Sequence, residues 1–427
     1  MTPYKELTKE ELLEIKSDLE AQFDAIKAKN LKLDMSRGKP STEQLNLSME
    51  MMDVLRSDSD LVCEEGVDCR NYGVLDGIKE AKQLLADMME VPKDNIVIFG
   101  NSSLNIMYDT IARSMTHGVM GSTPWCKLDK VKFLCPVPGY DRHFAITEYF
   151  GIEMINIPMT PTGPDMDLVE QYVNNDPAVK GIWCVPKYSN PQGVVYSDET
   201  VERFAKLKPA ADDFRIFWDN AYTVHHLYDD KQAEIPNILE LCEKEGNPDM
   251  VFEFCSTSKV TFPGAGLAGI CTSEKNREDI KKRLTIQTIG HDKINQLRHA
   301  RFFKDVDGIK AHMAKHAALI RPKFELVENI LTDEIASRGI GTWVKPLGGY
   351  FFGFEALSGC AKEIVAKCKE AGVTMTDAGS PFPYKKDPDD SVIRIAPTYP
   401  SLDELKKAAE VFVVVTRLVS VNKLLEA

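Results

Sequence analysis

A lysine among small hydroxyl residues is the first feature of the chain that could carry chemistry. The segment Ser256-Thr257-Ser258-Lys259 follows an apolar run and precedes a glycine-rich stretch. Most lysines are solvated surface charges, but a lysine at the end of a strand can form a Schiff base with a carbonyl compound. Lys259 is therefore either a surface charge or a point of covalent attachment, and the residues that share its neighbourhood decide between the two.

Other polar residues stand at similar places along the chain. Asp219, Asn190 and Tyr140 each end or follow a short apolar run, and Ser102 and Ser103 lie between a predicted strand and a predicted helix. Ligands of open α/β sheets bind at the carboxyl edge of the strands, and amides and hydroxyls at the start of a helix can hold a phosphate. These residues are candidates for one shared site.

The elements that must position these residues alternate between strand and helix. An amphipathic helix is predicted over 8–29, opened by a capping box between Thr8 and Glu11. Short apolar strands are predicted at 95–99, 131–135, 153–157, 181–185, 214–218 and 250–255, with helical patterns between most of them. This alternation predicts an α/β fold with a mostly parallel sheet covered by helices.

The last third of the chain departs from this alternation. A long helical stretch covers about 291–335, and the segments after it are short strands at 341–345, 350–355 and 392–395 and helices at 360–371 and 402–425. This order predicts a second, smaller α+β domain. We expect three parts: an N-terminal helix and segment over 1–60 that packs with the small domain, a large domain over 61–315, and the small domain over 316–427.

Composition excludes several classes of function. The 427 residues carry a formal net charge of −13, which argues against general nucleic-acid binding. The ten cysteines form no C-x-x-C pair and no zinc-like spacing, so we expect free thiols in a reducing cytoplasm and no metal. The N-terminus does not resemble a signal peptide, and no apolar run is long enough to predict a membrane span.

One glycine motif invites a different interpretation. Gly264–Gly269 spells G-x-G-x-x-G, which in dinucleotide-binding folds connects a strand to a helix. Here the motif is followed by Ile270–Ser273, which has the pattern of another strand. We therefore expect a tight, closely packed loop and no nicotinamide-dependent dehydrogenase.

Taken together and in chain order, these pieces resemble the class I/II aminotransferases of fold type I, which depend on pyridoxal 5'-phosphate (PLP). The resemblance runs from Gly38 to Arg394. The S-T-S-K-V-T-F-P-G-A-G-L-A-G segment and the D-x-S-R-G-K-P segment are most similar to the type Ic aspartate aminotransferases. The resemblance implies that residues 61–315 form the PLP-binding domain and that residues 1–60 lie on the side of the site where the substrate binds.

The resemblance assigns roles around the cofactor ring. Lys259 would form the Schiff base with PLP and then move the proton between the substrate and the cofactor. Asp219 would keep the pyridine nitrogen protonated. A helix N-cap is the structural alternative for Asp219. Asn190 and Tyr222 would hydrogen-bond the phenolic oxygen, and Tyr140 would stack on the ring face.

The resemblance also implies a phosphate cup and a shared site. Ser102 and Ser103 at a helix N-terminus, with Ser256 and Ser258, would hold the phosphate. Tyr72 matches a tyrosine that reaches the phosphate from the neighbouring subunit. The active form would then be a homodimer whose two sites are shared between subunits.

The resemblance also assigns residues to substrate recognition. Arg394 matches the arginine that binds the substrate α-carboxylate, and Asn190 lies on the same side. Gly38 matches a backbone position beside that carboxylate, where a side chain would crowd the substrate. Arg142 is our candidate for the group that binds a second carboxylate of the substrate, with a surface ion pair as the alternative.

The chain departs from the family pattern at two points. Most class I members have an arginine eight residues after the lysine, where it pairs with the phosphate, and here that position is Leu267. No clear match exists to the arginine that binds the side chain of a dicarboxylic substrate, so Arg37 and Lys39 are further candidates beside Arg142.

The sequence therefore predicts a cytoplasmic PLP-dependent aminotransferase. It would transfer an amino group from aspartate or glutamate to a 2-oxo acid by a ping-pong mechanism through pyridoxamine phosphate. A PLP-dependent C–S β-lyase is the alternative, since both reactions use the same lysine and carboxylate. A regulatory protein on the same fold is disfavoured, because only about 30 residues precede the Gly38 segment.

Overall fold

The structure is a computed structural model, and it describes residues 2–426. The α-helices of this part are α1 Lys9–Lys27, α2 Thr42–Asn46, α3 Lys79–Met89, α4 Ser103–His117, α5 Asp141–Tyr149, α6 Met166–Asn175, α7 Asp198–Ala205, α8 Ile238–Lys244, α9 Glu274–Gln287, α10 Lys293–Phe303, α11 Val306–Glu334, α12 Ala361–Glu370 and α13 Leu402–Glu426. The strands are β1 Leu33–Asp34, β2 Ile96–Ile98, β3 Lys132–Val137, β4 Glu153–Thr160, β5 Gly163–Pro164, β6 Val179–Cys184, β7 Arg215–Asp219, β8 Val251–Ser256, β9 Ala268–Cys271, β10 Gly341–Trp343, β11 Phe352–Ala356, β12 Val373–Thr374 and β13 Val392–Ile395. No helix among residues 2–426 combines the length and apolarity that crossing a bilayer requires.

An eight-stranded sheet forms the centre of the larger part, in the order β2-β9-β8-β7-β6-β3-β4-β5. The five strands β8, β7, β6, β3 and β4 pair in parallel, whereas β9 is antiparallel to both of its neighbours and β5 is antiparallel to β4. The mostly parallel α/β sheet predicted from the sequence is confirmed.

The direction of the strands brings the candidate residues to one edge. Because β9 is antiparallel to both β2 and β8, strand β2 runs in the same direction as β8. The carboxyl ends of β2, β3, β6, β7 and β8 therefore lie at the same edge of the sheet. Ser102, Tyr140, Asn190, Asp219 and Lys259 all stand at or just after these ends.

Alternating side chains build a core on each face of the sheet. Phe133, Trp183 and Phe217 point to one face, where the rings of Trp183 and Phe217 lie 4.8 Å apart. Leu134 and Ile182, which adjoin Phe133 and Trp183 in their strands, belong to the core on the other face. A sheet buried on both faces explains why its strands read as continuous apolar runs in the sequence.

A three-stranded antiparallel sheet, β10-β11-β13, centres the smaller part. Its core combines Phe354 of β11 with Phe412 of α13 and Phe23 of the N-terminal helix α1. The capping box predicted between Thr8 and Glu11 opens α1, with the Glu11 amide donating to the Thr8 hydroxyl at 3.2 Å.

The segment after α1 is tied to the same part. Strand β1 pairs in parallel with β12, and the Ala396 amide donates to the Met35 carbonyl at 3.0 Å. These bonds hold residues 33–35 close to β13, the strand that carries Arg394. The division of the chain at 60 and at 315 stays a prediction.

Helix α11 belongs to both cores. Met313 packs in the core of the large sheet, whereas Phe324 and Leu331 pack in the smaller core. The 29-residue helix contains Pro322 in its interior, close to the point where its buried face passes from one core to the other.

The glycine motif at 264–269 joins two strands. It follows β8 and the turn that contains Lys259, and β9 begins within it at Ala268. The next helix, α9, starts only at Glu274. The strand–loop–helix arrangement of a dinucleotide site is not formed here, in agreement with the sequence analysis.

A buried ion pair gives a stability prediction. Asp213 accepts hydrogen bonds from Lys180 Nζ at 2.6 Å and from Trp125 Nε1 at 2.8 Å, and all three residues are buried. Removing the charge of Asp213 leaves the Lys180 ammonium buried without its counter-ion. We expect Asp213→Asn to lower the free energy of unfolding by about 3 kcal/mol, measured by urea titration. Glu202→Gln, which disrupts the exposed pair with Lys206, is the control and is expected to have little effect; equal effects of the two substitutions would contradict the prediction.

Candidate active site

Lys259 stands in a turn after β8, against two aromatic rings. Its Nζ lies 5.0 Å from the ring centroid of Tyr222 and 5.9 Å from that of Tyr350. Burial lowers the pKa of the Lys259 amine, and the charge of the Asp219 carboxylate opposes this shift. A lysine in such surroundings is more readily deprotonated than a surface lysine, as a nucleophilic amine requires.

Asp219 is the last residue of β7 and is only 2% exposed. Its Oδ2 lies 2.9 Å from His143 Nε2, whereas its Oδ1 is buried and has no hydrogen-bond partner in the chain. Turns follow Asp219 and the next helix, α8, begins only at Ile238, so the alternative in which this residue serves as a helix N-cap is wrong. A buried carboxylate oxygen without a partner is costly and is suited to accept a proton or a hydrogen bond from a ligand.

His143 is a residue that the sequence analysis missed. It lies in α5, and its ring stacks on Trp183 of β6 at 4.4 Å between centroids with an angle of 10° between the planes. The stack and the bond to Asp219 fix the imidazole between the helix and the sheet. The available signal was its position three residues after Tyr140, one helical turn further on at the same edge.

Tyr222, Tyr140 and Asn190 lie at the same edge of the sheet as Lys259. Tyr222 and Asn190 are buried. Burial raises the pKa of the Tyr222 and Tyr140 phenols, and the Asp219 charge raises both further. Both phenols therefore stay protonated and can donate a hydrogen bond. Tyr350, which the sequence analysis also missed, donates to the Lys259 carbonyl at 3.5 Å.

The hydroxyl residues predicted for a phosphate cup lie at two segments that meet. Ser102 is the N-cap of α4 and Ser103 its first residue, and the Ser102 side chain makes no capping hydrogen bond. Asn101 Nδ2, next to them, donates to the Gly264 carbonyl at 3.2 Å and so joins this turn to the glycine loop. On the other side Ser256 Oγ donates to Ser258 Oγ at 3.0 Å.

Leu267 is buried where most class I members of the family have an arginine. Its side chain lies in the core, and its amide donates to Thr257 Oγ1 at 2.8 Å. The departure noted in the sequence is therefore built into the packing of this loop, and the charge of a phosphate must be met by other groups.

Arg394 reaches the same space from the smaller part of the molecule. Its Nη1 lies 2.8 Å from Asp141 Oδ1 and 3.5 Å from Asn190 Oδ1. Its guanidinium carbon is 4.9 Å from the centroid of the Phe351 ring, and its buried Nε has no partner in the chain. Asp141 and Phe351 are contacts that the sequence analysis did not foresee.

Gly38 lies against the same phenylalanine. A Cβ atom at position 38 would overlap the ring of Phe351. The sequence analysis expected a side chain here to crowd the substrate. In the structure the first obstacle is Phe351, which packs between Gly38 and Arg394.

The remaining candidates lie further out. Arg142 is exposed, although its charge still acts on the Tyr140 phenol. Arg37 is exposed and pairs with Asp34 at 3.6 Å, and Lys39 Nζ lies 3.9 Å from the Tyr399 ring centroid. Tyr72 is 78% exposed and is not drawn into the site of its own chain.

The structure thus assembles most of the predicted side chains and leaves a few apart. The residues brought to one edge of the sheet are Lys259, Asp219, Tyr222, Tyr140, Asn190, Ser102, Ser103, Ser256, Ser258, Gly38 and Arg394. Arg142 lies at its border, and Tyr72 is exposed elsewhere.

Comparisons with known proteins agree with this arrangement. The family model described as aspartate amino-transferase matches residues 7–427. The chain is 46% identical to an aspartate aminotransferase of Corynebacterium glutamicum over 92% of this chain and 90% of that protein. It is 45% identical to a putative aminotransferase of Mycolicibacterium smegmatis over 95% of both chains. The crystal structure of an aspartate transaminase from C. glutamicum superposes with a TM-score of 0.96 at 43% identity and 99% coverage of both chains. The chain therefore belongs to the aspartate amino-transferase family and is an aminotransferase of fold type I.

Proposed function

We propose that this aminotransferase uses PLP and transfers the amino group of aspartate or glutamate to a 2-oxo acid in two half-reactions. The observation that carries the proposal is the buried Asp219, one oxygen of which is held by His143 while the other has no partner in the chain. Lys259 and Arg394 converge on the same sheet edge, where an amino acid must present its nitrogen and its carboxylate together.

The residues fit PLP. Asp219 Oδ1 can accept a hydrogen bond from the protonated pyridine nitrogen, and the Tyr222 phenol can donate one to the phenolic oxygen. Asn190 would hold that same oxygen, and the Tyr140 ring would cover one face of the cofactor. When bound, PLP supplies an electron sink that stabilises negative charge at the substrate Cα.

Lys259 carries the proton transfer. Its amine is pushed toward the neutral form by burial, so Nζ can accept the proton from the substrate Cα and later return one. The rings of Tyr222 and Tyr350 flank Nζ at 5.0 and 5.9 Å. His143 acts one step further away, since its bond keeps the Asp219 carboxylate in place.

The phosphate group would be held by hydroxyls and amides. Ser102 and Ser103 lie at the N-terminus of α4, where the helix favours an anion, and Ser256 and Ser258 stand opposite. Tyr72 is exposed in its own chain, which is consistent with a role in the site of a second subunit. We propose a homodimer with shared sites on this basis.

Substrate recognition would use both parts of the molecule. Arg394 and Asn190 would bind the α-carboxylate, beside the backbone of Gly38. Arg142 would bind the second carboxylate of aspartate or glutamate. Its guanidinium is exposed at the border of the site, where it can reach a ligand.

The state of the thiols supports a reducing compartment. All ten cysteines are free, and nine of them are buried. Burial raises the pKa of the Cys242 thiol to about 12, which keeps it protonated and unreactive. We propose the cytoplasm as the location, because thiols of this kind persist there.

The visible spectrum of the purified protein tests the cofactor and the reaction together. We expect a visible absorption band of bound PLP that L-aspartate removes and 2-oxoglutarate restores. Lys259→Ala should lose the band and reduce kcat by about a thousandfold, whereas Lys206→Ala on the surface should change neither.

Three outcomes would contradict parts of the proposal. A band that aspartate leaves unchanged would overturn the assignment of the substrate, and no band after addition of PLP would overturn the assignment of the cofactor. Pyruvate and ammonia released from a cysteine conjugate would instead indicate the β-lyase.

The bond between His143 and Asp219 yields a second prediction. We expect His143→Leu to weaken PLP binding and lower kcat by about tenfold each, because the buried carboxylate loses a donor. His143→Gln, whose amide nitrogen reaches about as far as the imidazole Nε2 and can still donate, should recover part of both losses. PLP affinity is measured by fluorescence titration of the apoenzyme. Equal losses in the two variants would contradict a role through this hydrogen bond and indicate loss of packing on Trp183.

The role of Arg142 is tested by substrate discrimination. We expect Arg142→Ala to raise the KM for aspartate by about tenfold or more and to leave the KM for alanine unchanged, because only aspartate offers a second carboxylate. Arg203→Ala, which removes an arginine of α7 paired with Asp167 and Glu170, is the control. A parallel rise of both KM values in Arg142→Ala would show that Arg142 does not bind the substrate side chain.

A further inference from the structure

The carboxylate of Asp141 pairs with Arg394, the arginine to which the proposed function assigns the substrate α-carboxylate. Arg394 is 9% exposed, and its Nη1 donates to Asp141 Oδ1 at 2.8 Å. The second contact of Nη1, to Asn190 Oδ1, is longer at 3.5 Å. In this state the chain itself supplies the carboxylate that pairs with the guanidinium.

The ion pair between Asp141 and Arg394 stabilises the buried guanidinium, but it also places a negative charge where a substrate carboxylate would bind. A buried guanidinium without a counter-ion is costly, so the pair with Asp141 stabilises Arg394. A substrate α-carboxylate on Arg394 would lie within a few ångströms of the Asp141 carboxylate, and two like charges at that distance in a protected site repel each other. The two N–H groups of Nη1 already face Asp141 and Asn190, so a substrate carboxylate can bond to Nη1 only by displacing one of them.

The position of Asp141 allows its side chain to turn away from Arg394. It is the first residue of α5, where the helix dipole stabilises a negative charge, and it is followed by the exposed Arg142. Its side chain is 33% exposed, so water is within reach. A rotation of the side chain away from Arg394 therefore leaves the carboxylate solvated at a favourable helix end.

The unpartnered Nε of Arg394 also favours the replacement of Asp141 by a ligand carboxylate. With Asp141 on Nη1, the guanidinium remains incompletely satisfied, because Nε is buried and has no acceptor in the chain. A ligand carboxylate that bridges two of its nitrogens satisfies donors that a single oxygen of Asp141 does not. The arriving substrate thus makes a better partner than the residue it displaces.

We propose that Asp141 is an internal competitor of the substrate α-carboxylate. It pairs with Arg394 before a substrate binds, leaves when an amino acid or 2-oxo acid binds, and so sets the affinity of the site for carboxylates. This inference rests on the proposed function, in which Arg394 binds the α-carboxylate.

Binding of maleate to the PLP-loaded protein tests the competition. Maleate is a dicarboxylate that cannot be transaminated, and its Kd is measured by titration calorimetry. We expect Asp141→Asn to bind maleate about tenfold more tightly than the wild type, the effect of removing one competing charge-assisted hydrogen bond. Asp141→Ser provides a second variant with the same expectation. Asp167→Asn, which removes one negative charge from the exposed end of α6, is the control and should bind maleate as the wild type does.

The sign of the effect separates competition from a supporting role. If Asp141 only held Arg394 in place, both Asp141 variants would bind maleate more weakly or equally, and this result overturns the inference. Arg394→Ala separates this failure from that of the proposed function. Loss of maleate binding in Arg394→Ala with no gain in the Asp141 variants overturns the competition alone. Wild-type affinity in Arg394→Ala overturns the role of Arg394 and the inference with it.

Discussion

A negative charge held inside the protein is the constraint on which the site depends. Asp219 is buried at the end of a central strand, and the hydrogen bond from His143 to one of its oxygens stabilises the buried carboxylate. His143 in turn needs the ring of Trp183 beneath it, and Trp183 belongs to the aromatic core of the sheet. The position of one carboxylate is therefore set by a helix, two neighbouring strands and the packing between them.

The second half of the site comes from a different core. Arg394 lies on a strand of the smaller sheet, where it pairs in register with Gly353, and the N-terminal segment is tied to that strand through Met35. Phe351 then fills the space between Arg394 and Gly38. In the proposed function Lys259 binds the substrate nitrogen and Arg394 its carboxylate, and the distance between these two side chains is set by the way two separately packed cores meet. A transaminase gains from this arrangement, because the same pair of groups must accept an amino acid and a 2-oxo acid in turn.

Much of this fold follows from local pattern. The capping box at Thr8 and the buried apolar strands were predictable because their signals are short-range, and Lys259 stood out as a candidate through the residues beside it. The contacts that tune the site were not predictable in this way. His143 meets Asp219 across 76 positions of the chain, and Asp141 meets Arg394 across 253. Such contacts depend on the packing of elements, which no spacing in the sequence reports. Gly38 illustrates the same limit, since the need for a glycine was foreseen but the neighbour that requires it was not.

Helix α11 connects the two cores in one continuous rod, and the proline in its interior determines where this rod bends most easily. Met313 is anchored in one core and Phe324 in the other, with Pro322 between them. A proline inside a helix removes one backbone hydrogen bond and is a common point of bending. The rod therefore bends most easily at Pro322, which follows Ile320, a residue of the smaller core. A rotation of the smaller part about this point would move Arg394 relative to the sheet edge, and it would also move Tyr350, which precedes β11 and contacts Lys259.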